Sequence, residues 1–195
     1  MRFNVSEITD IIKDRRTIVP ENYTDRKVHK ELIGNIIDNA LWAPTHGKTQ
    51  PWRFTVFTDN ARKGLGETLA KLYKENTPAE DFSEMKHEKL GKRPLLSSVV
   101  IAVAMSRQEE EKIPEVEEIE AVACAVQNML LTATAYGLGS FWSTPKVMYS
   151  KEFHGFLGLE ENDKCLGLIY LGYTDKEWPK GQRRPIEYVT NWRSE

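Results

Sequence analysis

The stretch LWAPTHGKTQPWRFTVF, Leu41 to Phe57, sets two prolines, two tryptophans and five polar side chains between a helix end and an apolar run. Pro44 stops whatever helix precedes it, because the residue before a proline is pushed out of the α region. After Pro51, the residues Arg53, Phe54, Thr55, Val56 and Phe57 have the β-branched and aromatic composition of a strand. The loop between is short, rigid at both ends and full of donors, and it looks built to hold something flat or anionic.

Upstream of this loop, Val28, Leu32, Ile36, Ile37 and Ala40 recur at helical spacing and predict a helix from about Asp25 to Leu41. An earlier amphipathic helix is expected from Ser6 to Arg15, with Ile8, Ile11 and Ile12 on one face. Besides the strand at Arg53 to Thr58, strands are expected at Ser98 to Met105 and Leu166 to Gly172, each apolar enough to be buried on both faces. The charged helical stretch Ala61 to Lys92, interrupted at Thr77 and Pro78, reads as a cover over this framework.

The run Glu109 to Glu120 holds seven glutamates and one lysine and reads as a solvated helix N-terminus, where carboxylates suit the dipole. The helix that follows, Glu117 to Tyr136, is rich in small residues around most of its circumference. Small side chains let another backbone approach closely, so it is expected to be central and to pair with its copy across a dimer interface.

At 195 residues and 22.4 kDa the chain suits one domain, residues 1–195. A net charge of -2 argues against a nucleic-acid partner. Cys124 and Cys165 lie far apart without CxxC spacing, so neither a disulfide framework nor a zinc site is indicated, and a reducing, cytoplasmic setting fits. The N-terminus lacks the apolar core of a signal peptide, and the apolar tract Ala121 to Trp142 is too interrupted for a membrane span.

Several chemistries drop out of the residue inventory. His29, His46, His87 and His154 form no HExxH, no GxxxxGK[ST] loop is present, and GLGSFWS, Gly137 to Ser143, matches neither GxSxG nor GxGxxG. No metal site, side-chain nucleophile or acid–base pair is indicated, so no catalytic residue is named. What remains is a set of arginines beside turns: Arg15 and Arg16 before Thr17, and Arg183 and Arg184 before Pro185. A planar guanidinium matches a phosphate bidentately, and two such pairs brought together would clamp a phosphate monoester. A phosphate plus a flat polar ring is what flavin mononucleotide (FMN) presents. Trp42, Trp52 and Trp142 are candidates for ring neighbours or for packing, Trp52 reading as plain core.

Taken in order, RRT (Arg15 to Thr17), APTHGKTQPW, AYGLGSFW and LGLIYLGYTDKEWPKGQRRP resemble the motifs of the nitroreductase family of FMN-dependent oxidoreductases, from Arg15 to Pro185. The resemblance implies an α+β fold, with a central, mainly antiparallel sheet surrounded by helices, in an obligate homodimer holding two FMN at its interface. It assigns Arg15, Arg16, Thr17, Arg183 and Arg184 to the FMN phosphate and ribityl chain. It brings Trp42, Pro44, Thr45 and His46 to the flavin from the partner subunit, and lays Trp142, Ser143 and Thr144 along the ring. Gln50 matches the family motif, whereas Lys48 stands where that motif commonly has asparagine. A lysine facing the pyrimidine end would favour negative charge on the reduced ring and raise its potential; one facing solvent would do nothing.

The resemblance further implies ping-pong transfer of hydride from NADH or NADPH, through the flavin N5, to a small acceptor such as a nitroaromatic, quinone or enone. Two rival readings are a non-enzymatic FMN-binding or storage protein and a structural dimer module without flavin.

Overall fold

The computed structural model describes residues 3–194. Helix α1, Val5–Asp14, is capped by Asn4, whose side chain accepts from the Ser6 amide at 3.0 Å. It buries none of its residues, so its apolar face, Val5, Ile8 and Ile12, is open. Helix α2, Lys30–Ala40, begins five residues later than its periodicity predicts. His29 is the N-cap, and Val28 is held outside the helix because its amide donates to Ser98 Oγ at 2.7 Å.

Four strands form one antiparallel sheet: β1 (Trp52–Phe57), β2 (Val99–Met105), β3 (Gly139–Ser143) and β4 (Lys164–Gly172), in the order β1-β2-β4-β3. Strand β2 is buried at every position because helices cover both faces. Val99, Ile101, Val103 and Met105 join one core with Ile36, Val122 and Met129. Val100 and Ala102 point the other way, into a core with Leu65, Leu69, Phe153 and Tyr170. Strand β4 is likewise buried from Gly167 to Gly172.

The expectation that all strands are buried on both faces fails for β1. It lies at the sheet edge, where only Trp52 and Phe57 are buried and Arg53, Thr55 and Val56 face outward. Strand β3 has no apolar run to announce it; Gly139 and Ser140 are buried because Thr17 and Ile18 lie against them.

One face of the sheet carries α2 and the long helix α5, Glu115–Ala135. The other carries the hairpin of α3 (Ala61–Asn76) and α4 (Glu84–Leu96), broken at Thr77 and Pro78 as the sequence predicts, together with α6 (Lys151–Leu157). Helix α5 turns Ala121, Val122, Ala125, Val126, Met129 and Ala133 inward, while Val116, Glu120, Cys124, Gln127 and Ala135 form an outward stripe. Cys124 is therefore exposed, and only Cys165 has the apolar burial its sequence neighbourhood suggests. Among the described residues, no helix is long and apolar enough to cross a membrane.

Candidate functional site

At the end of α1, Arg15 caps the helix with its amide on the Ile11 carbonyl at 3.1 Å. Thr17 then bridges to Ser140, and the Ile18 amide donates to the Ser140 carbonyl at 2.9 Å. The RRT segment is thereby fixed beside the start of β3. The Arg16 guanidinium donates to the carbonyls of Lys13, Arg15 (2.7 Å) and Pro179 (2.8 Å). The first two belong to the electronegative end of α1, and the third to the C-terminal tail.

Trp178 reinforces this strap by donating its indole N–H to the Asp14 carbonyl. Arg16 is thus a tail anchor as well as one member of the expected phosphate clamp, while the Arg15 guanidinium, with no partner among the described residues, stays available. Gly181 lies so close that a β-carbon there would be 2.0 Å from Arg16 Nη2. Arg183 and Arg184 follow immediately and are exposed, with Arg183 donating to the Gln182 carbonyl at 2.7 Å. Of the four arginines only Arg16 lines the adjoining cavity of about 630 Å³, together with Asp14, Thr134, Gly137 and Trp178 to Gly181; its bond to the Pro179 carbonyl brings the tail that bears Arg183 and Arg184 to this end of α1.

Trp142 and Ser143 close β3, with Thr144 following. The Trp142 indole donates to the Leu166 carbonyl at 3.1 Å. That carbonyl belongs to a bulge: β2 and β4 pair Val103 with Gly167 but Ala104 with Cys165, leaving Leu166 unpaired. Ser140, two residues before Trp142 and on the same side of β3, is 2% exposed, and its hydroxyl has no hydrogen-bond partner among the described residues. Buried hydroxyls are normally satisfied, and among the described residues Ser140 shares this unpaired state with the buried Gln108 Nε2, Glu118 Oε1 and His154 Nε2. The sequence signal for Ser140 was its place inside GLGSFW; its hydroxyl was not singled out.

The loop that opened the sequence is rigid for reasons visible residue by residue. Its centre is a turn at His46–Lys48, and Gly47, Lys48 and Gln50 all have positive φ (59°, 58° and 47°). Non-glycine residues in that region cost about 1–3 kcal/mol each and persist only where the surroundings enforce them. Here Thr45 Oγ1 accepts from the Gln50 amide at 3.2 Å and bonds Thr49 Oγ1 at 3.1 Å. The Ile113 side chain lies under Gly47, and the Pro51 carbonyl takes the Ser106 amide at 2.7 Å. Trp42 is 82% exposed, whereas Trp52 is core, as expected. Lys48 is exposed and has no partner among the described residues.

The acidic run is not merely a solvated helix start. Glu117 Oε2 lies 2.5 Å from His46 Nδ1. Glu118 is 1% exposed and pairs with Arg107, which also donates to the Ile113 carbonyl at 2.7 Å. Nothing in a string of glutamates distinguishes these two from their neighbours; only the packing of the loops does.

Within one chain the two halves of the expected site do not meet. The loop sits at the N-terminal end of α5, through Glu117, and the arginine cavity at its C-terminal end, through Thr134. At 1.5 Å rise per residue these positions are roughly 25 Å apart.

Known proteins share this fold. The model of the Nitroreductase family matches residues 12–173. YfhC of Bacillus subtilis, provisionally named an NAD(P)H nitroreductase, is 29% identical over 184 residues, 93% of this chain and 91% of that one. The crystal structure of a nitroreductase-like family protein from Bacillus cereus superposes with a TM-score of 0.82 at 28% identity, covering 100% of both chains. A provisionally named nitroreductase from Desulfovibrio desulfuricans, crystallised with FMN, superposes with a TM-score of 0.72 at 26% identity over 98% of each chain. With motifs, fold and family model in agreement over most of its length, this chain belongs to the nitroreductase family.

Proposed function

We propose that this chain is an FMN-dependent oxidoreductase that takes hydride from NADH or NADPH and passes it to a small oxidised acceptor, such as a nitroaromatic, quinone or enone, in ping-pong order. FMN, when bound, supplies the hydride chemistry at N5; the protein supplies binding, orientation and exclusion of water. Arg15, Thr17, Arg183 and Arg184 would hold the phosphate, with Arg16 anchoring the tail that carries the last two. Trp142, Ser143 and Thr144 would line the ring. Trp42, Pro44, Thr45, His46, Lys48 and Gln50 would close its edge from a second protomer.

The observation that carries this reading is the Arg16 strap, which ties the tail bearing Arg183 and Arg184 to the RRT segment in a chain that matches the Nitroreductase family over residues 12–173. It agrees with the FMN held by the Desulfovibrio relative. The homodimer with two FMN is supported by the separation of loop and arginines along α5. It is also supported by apolar surface that a lone chain leaves open: Val5, Ile8 and Ile12 on α1, and Ile186, Tyr188, Val189 and Trp192 in the tail.

The test is a visible spectrum of the purified protein, followed by anaerobic addition of NADPH and of NADH. Flavin bands that bleach with either nicotinamide are the expected result. A colourless protein that takes up no added FMN overturns the flavin reading. Yellow that neither nicotinamide bleaches overturns the NAD(P)H reading.

A further inference from the structure

His46 opens the turn at the centre of the loop, and its Nδ1 is tied to Glu117 Oε2 at 2.5 Å. The imidazole is 61% exposed and the carboxylate 39%, so the pair stands at the surface with the ring's Nε2 on the side away from Glu117. The backbone beneath is held by Ile113 under Gly47 and by Thr45 Oγ1 on the Gln50 amide. A carboxylate-oriented imidazole on a fixed loop is an arrangement suited to proton transfer, because the carboxylate sets both tautomer and ring direction. The other charged groups nearby are Lys48 on the same turn and Glu115 two residues before Glu117, itself paired with Lys164 at 2.9 Å.

Two-electron reduction of a quinone or enone needs a proton as well as a hydride. We infer that His46, oriented by Glu117, donates that proton from Nε2 to the acceptor in the site completed across the dimer. The acceptor gains the hydride delivered through the cofactor from NAD(P)H. Its oxygen, or the α-carbon of an enone, gains the proton, and the neutral imidazole recovers a proton from solvent. This assignment rests on the flavin reading above and gives the reaction an acid that no sequence motif revealed.

The experiment compares reoxidation of the reduced holoenzyme by p-benzoquinone, which takes a hydride and a proton, with reoxidation by ferricyanide, which takes single electrons and no proton. In His46→Gln and Glu117→Gln the quinone-to-ferricyanide rate ratio is expected to fall at least about tenfold, since a positioned general acid is worth ~10²–10⁴ in rate. A displaced loop would slow both acceptors together; an unchanged ratio overturns the proposal. Nitrogen-15 NMR of the histidine-labelled protein, without nicotinamide or acceptor, should show a hydrogen-bonded proton on His46 Nδ1 that is lost in Glu117→Gln. Its absence from the unsubstituted protein also overturns the proposal. Dithionite-reduced holoenzyme serves if neither nicotinamide bleaches the flavin, so that failure of the NAD(P)H reading and failure of the proton-donor assignment are read separately.

Discussion

Trp142 lies across Gly167: its indole Nε1 is 2.2 Å from the point where a β-carbon on Gly167 would sit, and it donates to the neighbouring Leu166 carbonyl at 3.1 Å. Gly167 also has φ +145°, a conformation that side chains resist. The orientation of a candidate ring neighbour is therefore set by a glycine on the adjacent strand. Gly167→Ala is expected to lose about 2–4 kcal/mol, combining overpacking with backbone strain. Urea unfolding measures the loss, and adding Trp142→Phe should return the overpacking part only.

The contact between Arg16 and Gly181 predicts a different outcome, because the obstructing atom is the end of a long, movable side chain. Gly181→Ala should push Arg16 off the Pro179 carbonyl and loosen the tail, with a global stability loss of about 1 kcal/mol, the scale of one hydrogen bond. Limited trypsin digestion should cut faster after Lys180 and Arg183 in this variant, Arg184 being protected by Pro185. FMN affinity should fall with it.

Glu118 and Arg107 form a buried ion pair, with side chains 0% and 10% exposed. Glu118→Ala leaves the guanidinium buried without its counter-charge and is expected to cost about 3–5 kcal/mol. Replacing both residues by apolar ones of similar size should recover much of that loss in urea unfolding. Because Arg107 also holds the Ile113 carbonyl under the loop, FMN affinity should stay low even where stability returns.

The two thiols should differ in reactivity. Burial pushes Cys165 up to about 11, partly offset by a hydrogen bond from the Gly167 backbone, so it stays protonated and inert at neutral pH. Cys124 is exposed on the α5 stripe of a single chain and, if the proposed homodimer covers that stripe, should react with Ellman's reagent only when dilution separates the protomers. Both should react in guanidinium. Since the folded value of Cys165 is raised above the ordinary 9.0, its contribution to stability is complete below that value and is lost as pH rises through about 11. Cys165→Ala should flatten that part of the alkaline unfolding limb.

The sequence by itself determined the local elements that declare themselves by period or by punctuation: β2 and β4 as apolar runs, the break at Thr77 and Pro78, the helix ending ahead of Pro44, and Trp52 as core. It also carried the ordered motifs that mark the family. Hydrophobic period and proline geometry act within a few residues, so they survive without a fold.

Tertiary structure alone decided that β1 is an edge strand, that β3 forms by pairing with β4, and that α2 waits until after Val28 has bonded Ser98. It alone separated Glu117 and Glu118 from the other glutamates, and made Arg16 a strap for the tail. All but the Glu118–Arg107 pair, 11 residues apart, depend on a partner dozens of residues away or more, and a side chain's role changes with what is packed against it. The same holds for the site as a whole: α5 keeps the loop and Arg16 at opposite ends within one chain, and the proposed homodimer is the arrangement that would join them.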